Sequence, residues 1–272
     1  MRRVSYSLIL IVILILVSSC RVGIKTTTDI NYQQQLLAAT LFQQCAAEMK
    51  ALSYQAYNIA GMRLEEALKE ANDPHHLAVI LDLDETVLDN SPHSGQSIID
   101  RFSFPIGWDE WCYKAEAKAL PGVVDFLKKA DKAGVQIFYI TNREEKHREA
   151  TKENLLKLEV PVQSDNHLMF KTVTSSKRER QMKVSENYEI IMLIGDNLTD
   201  FTPLYDKQSV EQRDKLTDSL KIEFGNRFIV LPNTMYGDWM SAIHNFNFSL
   251  SDSLKTVIFN DRIKGFNFHP NE

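Results

Sequence analysis

Leu77-Ala78-Val79-Ile80-Leu81 runs without a break into Asp82-Leu83-Asp84-Glu85-Thr86. Five consecutive apolar residues with no polar alternation are the pattern of a strand buried on both faces, and such strands belong to parallel sheets. Asn72-Asp73-Pro74 punctuates the chain just before them. Downstream, helical spacing over residues 123–133, 144–158 and 176–186 alternates with strand-like runs at 135–140, 167–170, 190–194 and 228–231. This alternation predicts an α/β fold, a Rossmann-like parallel sheet with helices on both faces.

Upstream of the first strand, apolar groups at Leu37, Leu41, Cys45, Met49, Leu52, Ala56 and Ile59 recur every three or four residues, which predicts one long helix or two, with Cys45 in the core. Residues 89–119, with Trp108, Trp111 and Tyr113, and the charged residues 205–223 stand outside the alternation. Together with residues 31–73 they are expected to form a smaller helical cap. Residues 241–272 carry Phe246, Phe248, Phe259 and Phe266 and either cover the core or pair with a second copy as a homodimer.

The amino terminus reads as an export signal. Arg2 and Arg3 precede an unbroken apolar run from Leu8 to Val17, too short for the roughly 20 helical residues that cross a bilayer. The following Val17-Ser18-Ser19-Cys20 resembles the lipobox of bacterial lipoproteins, which implies a signal peptide over 1–19 and lipid on Cys20. The alternative is an ordinary secretory signal with a cysteine after it by chance. Residues 20–30 then form a tether, residues 31–272 the folded domain, and the expected address is the outer membrane. The 272 residues are 44% hydrophobic and 25% charged, enough to bury a core, with a net charge of −5. Loss of residues 1–19 removes Arg2 and Arg3 and no acid, leaving 29 basic against 36 acidic residues. That balance argues against a nucleic-acid polymer as partner. Three cysteines in no CxxC spacing exclude a structural zinc or a disulfide framework. A Cys45–Cys112 bridge stays open.

Ligands of parallel sheets bind at the carboxyl ends of the strands. Those ends carry Asp82-Leu83-Asp84-Glu85-Thr86, then Thr141-Asn142-Arg143, then Gly195-Asp196-Asn197-Leu198-Thr199-Asp200, with Lys171, Lys177 and Lys183 between the last two. Asp82, Asp84, Asp196 and Asp200 on one rim would repel one another unless a cation neutralised them, and all-oxygen ligation points to Mg2+. Thr141 offers a hydroxyl and an amide to an anion, with Asn142 beside it. Of the lysines, Lys177, just ahead of a helical segment, is the choice for a fixed cation on a phosphoryl group. Arg143 either braces the site, touches substrate, or pairs at the surface with Glu144 or Glu145.

This set, Asp-x-Asp-x-Thr, then Thr-Asn-Arg, then lysine, then Gly-Asp-Asn-x-x-Asp, resembles the phosphohydrolases of the haloacid dehalogenase superfamily. With residues 82–90 and 231–239, the latter reading Leu-Pro-Asn-Thr-Met-Tyr-Gly-Asp-Trp, it is similar to the class C acid phosphatases, lipoprotein nucleotidases of bacterial outer membranes. The resemblance implies that Asp82 attacks phosphorus to give an aspartyl-phosphate, and that Asp84 is general acid and base. It implies that Asp82, Asp196 and the backbone carbonyl of Asp84 hold the metal. Asp200, one helical turn beyond Asp196 by its spacing, is placed to join the metal site and to orient the lysine or a metal-bound water. It also implies an acidic optimum and a nucleoside 5′-monophosphate or nicotinamide mononucleotide as substrate, its base stacked between Tyr236 and Trp108 or Trp111. Rival expectations are a phosphatase without nucleotide preference and a non-catalytic binding lipoprotein.

Overall fold

A computed structural model describes residues 35–266. The expected signal peptide, the tether and the lipid site Cys20 lie outside the described residues. The described residues open with α1 (Leu37–Cys45) and α2 (Ala47–Glu70), separated at Ala46, whose backbone is extended. β1 (Leu77–Leu81) follows, then β2 (Leu88–Asp89), α3 (Ser91–Asp100), α4 (Trp108–Lys114) and β3 (Lys118–Ala119). Next come α5 (Val123–Lys132), β4 (Gln136–Glu144), α6 (Arg148–Lys157), β5 (Leu168–Lys171), α7 (Arg178–Ser185) and β6 (Glu189–Gly195). The chain closes with α8 (Val210–Ser219), β7 (Phe228–Val230), α9 (Asp238–Ile243) and α10 (Asp252–Arg262). None of the described helices is long and apolar enough to cross a membrane.

The main sheet is parallel, in the order β5-β4-β1-β6-β7, and β2 pairs antiparallel with β3 beside it. β1 is central, and all five of its residues are buried. The strand period divides them between two cores. Val79 and Leu81 pack with Tyr57, Ala60 and Leu64 of α2 and Phe126 and Leu127 of α5. Ala78 and Ile80 face the other way, onto Val184 of α7 and Phe201.

Two expectations about the helices need correction. The buried face of α2 is Met49, Ser53, Ala56, Tyr57, Ala60 and Leu64, whereas Leu37, Leu41, Leu52 and Cys45 are exposed. Met49 and Ala56 of the expected stripe are buried and Ile59 packs against the core, but the stripe does not continue back across the break at Ala46, and α2 presents small residues to the sheet so that the backbones can approach. Residues 31–73 are therefore not all cap: α2 is a layer of the core. α1 packs on α3, with the Gln44 amide donating to the Ser91 carbonyl at 3.0 Å. α8 packs on α9 and the 3-10 turn Pro203–Tyr205, at the far side of the sheet order. Cys45 and Cys112 are both free thiols. Burial pushes the Cys112 thiol up to about 12.

Candidate active site

The amide of Asp82 donates to the Ile194 carbonyl at 2.9 Å, the last rung between β1 and β6, so the aspartate stands where the sheet ends. Carboxylate oxygens of Asp82, Asp196 and Asp200 lie within 4.8 Å of one another. Lys177, just ahead of α7, is 5% exposed and inserts between them, donating to Asp82 Oδ1 and, at 2.7 Å, pairing with Asp200 Oδ1. Lys171 instead lies 3.9 Å from Glu144, and Lys183 is exposed. Of the three lysines only Lys177 reaches the carboxylates.

Asp200 belongs to the turn Leu198–Asp200, not to a longer helix. Its Oδ2 accepts from the Asn197 amide at 3.0 Å, and its side chain lies over Gly195. A Cβ at residue 195 would sit 2.4 Å from Asp200 Oδ2, so the glycine is what lets this carboxylate fold back into the site. Asp196 is held from the other side by the Asn233 amide, 2.8 Å from its Oδ2.

Asp84 turns away from this group. Its Oδ1 accepts from Arg143 Nε at 2.9 Å and from Asn90 Nδ2 at 2.9 Å. Of Asp82, Asp84, Asp196 and Asp200, the Asp84 side chain is thus the one outside the cluster. Arg143 is not the surface residue that a pairing with Glu144 or Glu145 would make it. It is 2% exposed, donates also to Thr151 Oγ1 at 3.0 Å and Asn90 Oδ1 at 3.1 Å, and lies 5.6 Å from the Trp108 ring centre.

Thr141 is fully buried, and its Oγ1 accepts from the Arg143 amide at 3.1 Å, while Asn142 is exposed at the rim. Trp108 is half-buried, edge-on to His93 and Phe104. Trp111 is committed to the fold: its indole N–H donates to Asn90 Oδ1 at 2.8 Å and its ring packs on the larger core. That leaves Trp108 as the cap tryptophan beside Arg143. Tyr236 is 37% exposed, on a loop that the Asn233 side chain organises by accepting from the amides of Met235 and Tyr236.

Four contributors had no role in the sequence reading. Asn90 and Asn233 lie inside quoted motifs, and their amide side chains now connect those motifs to Asp84 and Asp196. Tyr57 of α2 reaches under the site and donates to the Thr86 carbonyl at 2.7 Å. Glu85, fully buried at a positive φ of 57°, accepts from the Asn90 amide at 2.7 Å, and burial beside Asp84 and Asp196 holds its carboxyl well above the usual range. Asn90, Asn233 and Glu85 were visible as polar residues within quoted motifs, whereas Tyr57 carried no such signal.

Burial pushes the Asp82 carboxyl up to about 7; Lys177 opposes the shift, and Asp200 and Asp84 add to it. Asp196 is likewise held well above the usual range by burial and by the charges of Asp200 and Asp82. Burial works against the Lys177 ammonium, but Asp200 and Asp82 keep it charged above the ordinary lysine range. A buried all-oxygen set whose members repel one another fits a hard divalent cation, which removes that repulsion. Cation and proton compete for the same oxygens, so affinity for the cation rises as the carboxyls ionise. Added Mg2+ is expected to raise the thermal midpoint more at pH 8 than at pH 5, as scanning calorimetry would show. An equal rise for the wild type and Asp196→Asn would place the ion elsewhere.

A sheet end that gathers three carboxylates, a buried lysine and a Thr-Asn pair defines a phosphohydrolase of the haloacid dehalogenase type. The chain belongs to the HAD superfamily, subfamily IIIB (acid phosphatase), whose family profile matches residues 6–239. The structure of the class C acid phosphatase from Bacillus anthracis superposes with a TM-score of 0.84 at 42% identity, over 87% of this chain and 99% of that one. The same enzyme with tungstate bound gives 0.83 at 42% identity, over 86% and 99%. Acid phosphatase 1 of Solanum lycopersicum is 33% identical over 135 residues, 44% of this chain and 50% of its own length. The stem 31 kDa glycoprotein of Glycine max is 27% identical over 167 residues, 58% and 62% respectively. The chain thus spans between half and two thirds of the length of these plant relatives.

Proposed function

We propose that this protein is a Mg2+-dependent acid phosphomonoesterase acting on nucleoside 5′-monophosphates, nicotinamide mononucleotide among them, by way of an aspartyl-phosphate. The observation that carries the reading is Lys177, buried between Asp82 and Asp200: a fixed cation against a carboxylate at a strand end is what phosphoryl transfer to that carboxylate needs. A carboxylate oxygen of Asp82 attacks phosphorus and the ester P–O bond breaks. The leaving alkoxide takes a proton from Asp84. Asp84, now a base, takes a proton from water as that water attacks the acyl phosphate, the bond to Asp82 breaks, and phosphate leaves. Arg143 and Asn90 hold Asp84 by Oδ1, which presents Oδ2 to the leaving group. Thr141, Asn142 and Lys177 grip the phosphoryl oxygens. Asp82, Asp196 and the Asp84 carbonyl would hold the metal, and Asp200 orients Lys177; the ion, when bound, would supply charge against the phosphoryl group.

Nucleotide preference rests on Tyr236 and Trp108, flat faces of the kind on which any base stacks. Phosphate release from AMP, nicotinamide mononucleotide, glucose 6-phosphate and p-nitrophenyl phosphate, with Mg2+ and with EDTA, tests the reading. Metal-dependent turnover led by the nucleotides is expected. Tyr236→Ala is expected to lower kcat/KM for AMP by about 10-fold, in keeping with about 1–3 kcal/mol per stacked base, and to leave glucose 6-phosphate unchanged. An equal loss on both esters would leave a phosphatase without nucleotide preference. The apolar run before Val17-Ser18-Ser19-Cys20 supports anchoring by lipid on Cys20 at the outer membrane, where removal of phosphate turns a poorly permeant nucleotide into a nucleoside for uptake.

A further inference from the structure

Arg180 lies three residues beyond Lys177, one helical turn along the start of α7 and on the same face. Its guanidinium joins three segments of chain. Nη1 donates to the Thr141 carbonyl at 2.5 Å and the Met169 carbonyl at 3.2 Å. Nη2 donates to Asn142 Oδ1 at 3.0 Å and the Ser176 carbonyl at 3.2 Å. These acceptors come from the carboxyl end of β4, from β5, and from the residue just before Lys177.

The need for such a donor arises in the sheet. β4 and β5 pair at Ile140↔Met169 and next at Glu144↔Lys171, so β4 spends four residues where β5 spends two. The two surplus residues fall within Thr141-Asn142-Arg143, which bulges out of the ladder at the rim of the site. A bulge leaves backbone groups without their ladder partners, and a buried carbonyl without a donor costs free energy comparable to a lost hydrogen bond. Arg180 supplies donors to the Thr141 carbonyl in the bulge and to the Met169 carbonyl on the facing strand. Its planar fork can serve several oxygens at once, which an ammonium on a flexible stem cannot. The neighbouring Gln181 amide donates to the Asp200 carbonyl at 2.6 Å, so the first turn of α7 is tied to the strand ends on either side of β1.

We infer that Arg180 is a positioning residue for phosphoryl transfer, fixing the bulged Thr141-Asn142 loop at a set distance from Lys177 so that the two grip the same anion. The inference rests on the proposed phosphate contacts of Thr141, Asn142 and Lys177. It assigns Arg180 no contact with substrate. Its effect is felt as geometry, and small displacements of binding groups are costly in catalysis, about 100-fold for about 1 Å.

The test uses the full chain and tungstate as a phosphate-shaped probe, with p-nitrophenyl phosphate as substrate. Arg180→Met is expected to stay folded, to weaken inhibition by tungstate by about 10-fold and to lower kcat/KM by about 10- to 100-fold, the range for groups that orient a site's own ligands. Added guanidinium ion is expected to restore part of both losses, and Arg180→Lys to fall between wild type and Arg180→Met. Unchanged tungstate inhibition and kcat in a folded Arg180→Met, or no rescue by guanidinium, would overturn the inference. Should Arg180→Met fail to fold, Arg180→Lys decides: weakened tungstate inhibition supports positioning, and wild-type behaviour reduces Arg180 to a structural cation. Lys177→Met, measured in parallel, separates the two levels. If it binds tungstate as the wild type does, the proposed phosphate site is wrong; if it loses tungstate and Arg180→Met does not, only the role of Arg180 is wrong.

Discussion

Asp82→Asn is expected to lower turnover of p-nitrophenyl phosphate by on the order of 10^4-fold or more, as removal of a covalent nucleophile does in other hydrolases. The amide has nearly the shape of the carboxylate, and its oxygen still faces Lys177. What it lacks is the charge and the nucleophilic oxygen. The same substitution removes one negative charge from a buried group of three, so the metal-free protein is expected to unfold no earlier than the wild type. Steady-state kinetics beside a thermal melt reads both effects. Loss of activity together with collapse of the fold would mean that Asp82 is structural, and retained activity would remove it from the chemistry.

The second large effect is on stability. Arg143 is buried with donors directed at Asp84, Asn90 and Thr151 and with Trp108 beside its guanidinium. Taking one partner out of a buried ion pair leaves the other uncompensated, at about 3–5 kcal/mol. The Asp84 side chain keeps 19% of its exposure, so the lower end of that range applies. Arg143→Met is expected to cost about 3 kcal/mol in urea unfolding, read as a shift in midpoint at unchanged slope, and to lower kcat as Asp84 loses its hold. Arg143→Lys should recover little, because one ammonium cannot reach three acceptors. A loss below about 0.5 kcal/mol would show that the network is incidental.

β1 was legible to the residue, because a strand buried on both faces leaves an uninterrupted apolar run and the acids begin where the strand stops. The same logic located Asp196, directly after β6, whereas β4 runs on to Glu144, past Thr141 and the expected end at residue 140. Where the reading failed, the determinants were not periodic. Leu37 and Leu41 extend an apolar stripe toward α2 but are exposed, since the chain breaks at Ala46 and the helix beyond it buries Ser53 and Ala60 beside the expected Met49 and Ala56. Ser and Ala on a sheet-facing helix give a weak hydrophobic signal however deeply they pack. The environment of Arg143 was equally hidden, for its partners lie 8, 53 and 59 residues away in sequence. Arg180 was within reach of helical spacing from Lys177, but the bulge that gives it work exists only in the paired sheet.

The central claim is that Asp82 carries the phosphoryl group between the two halves of the reaction. Acid quenching of the full chain during turnover of p-nitrophenyl phosphate, followed by proteolysis and mass spectrometry, tests it directly. The account predicts one phosphoryl group on the peptide that contains Asp82, lost on treatment with hydroxylamine and absent from Asp82→Asn. Turnover with that peptide unmodified at every quench time, or a phosphoryl group found on another residue, would contradict it.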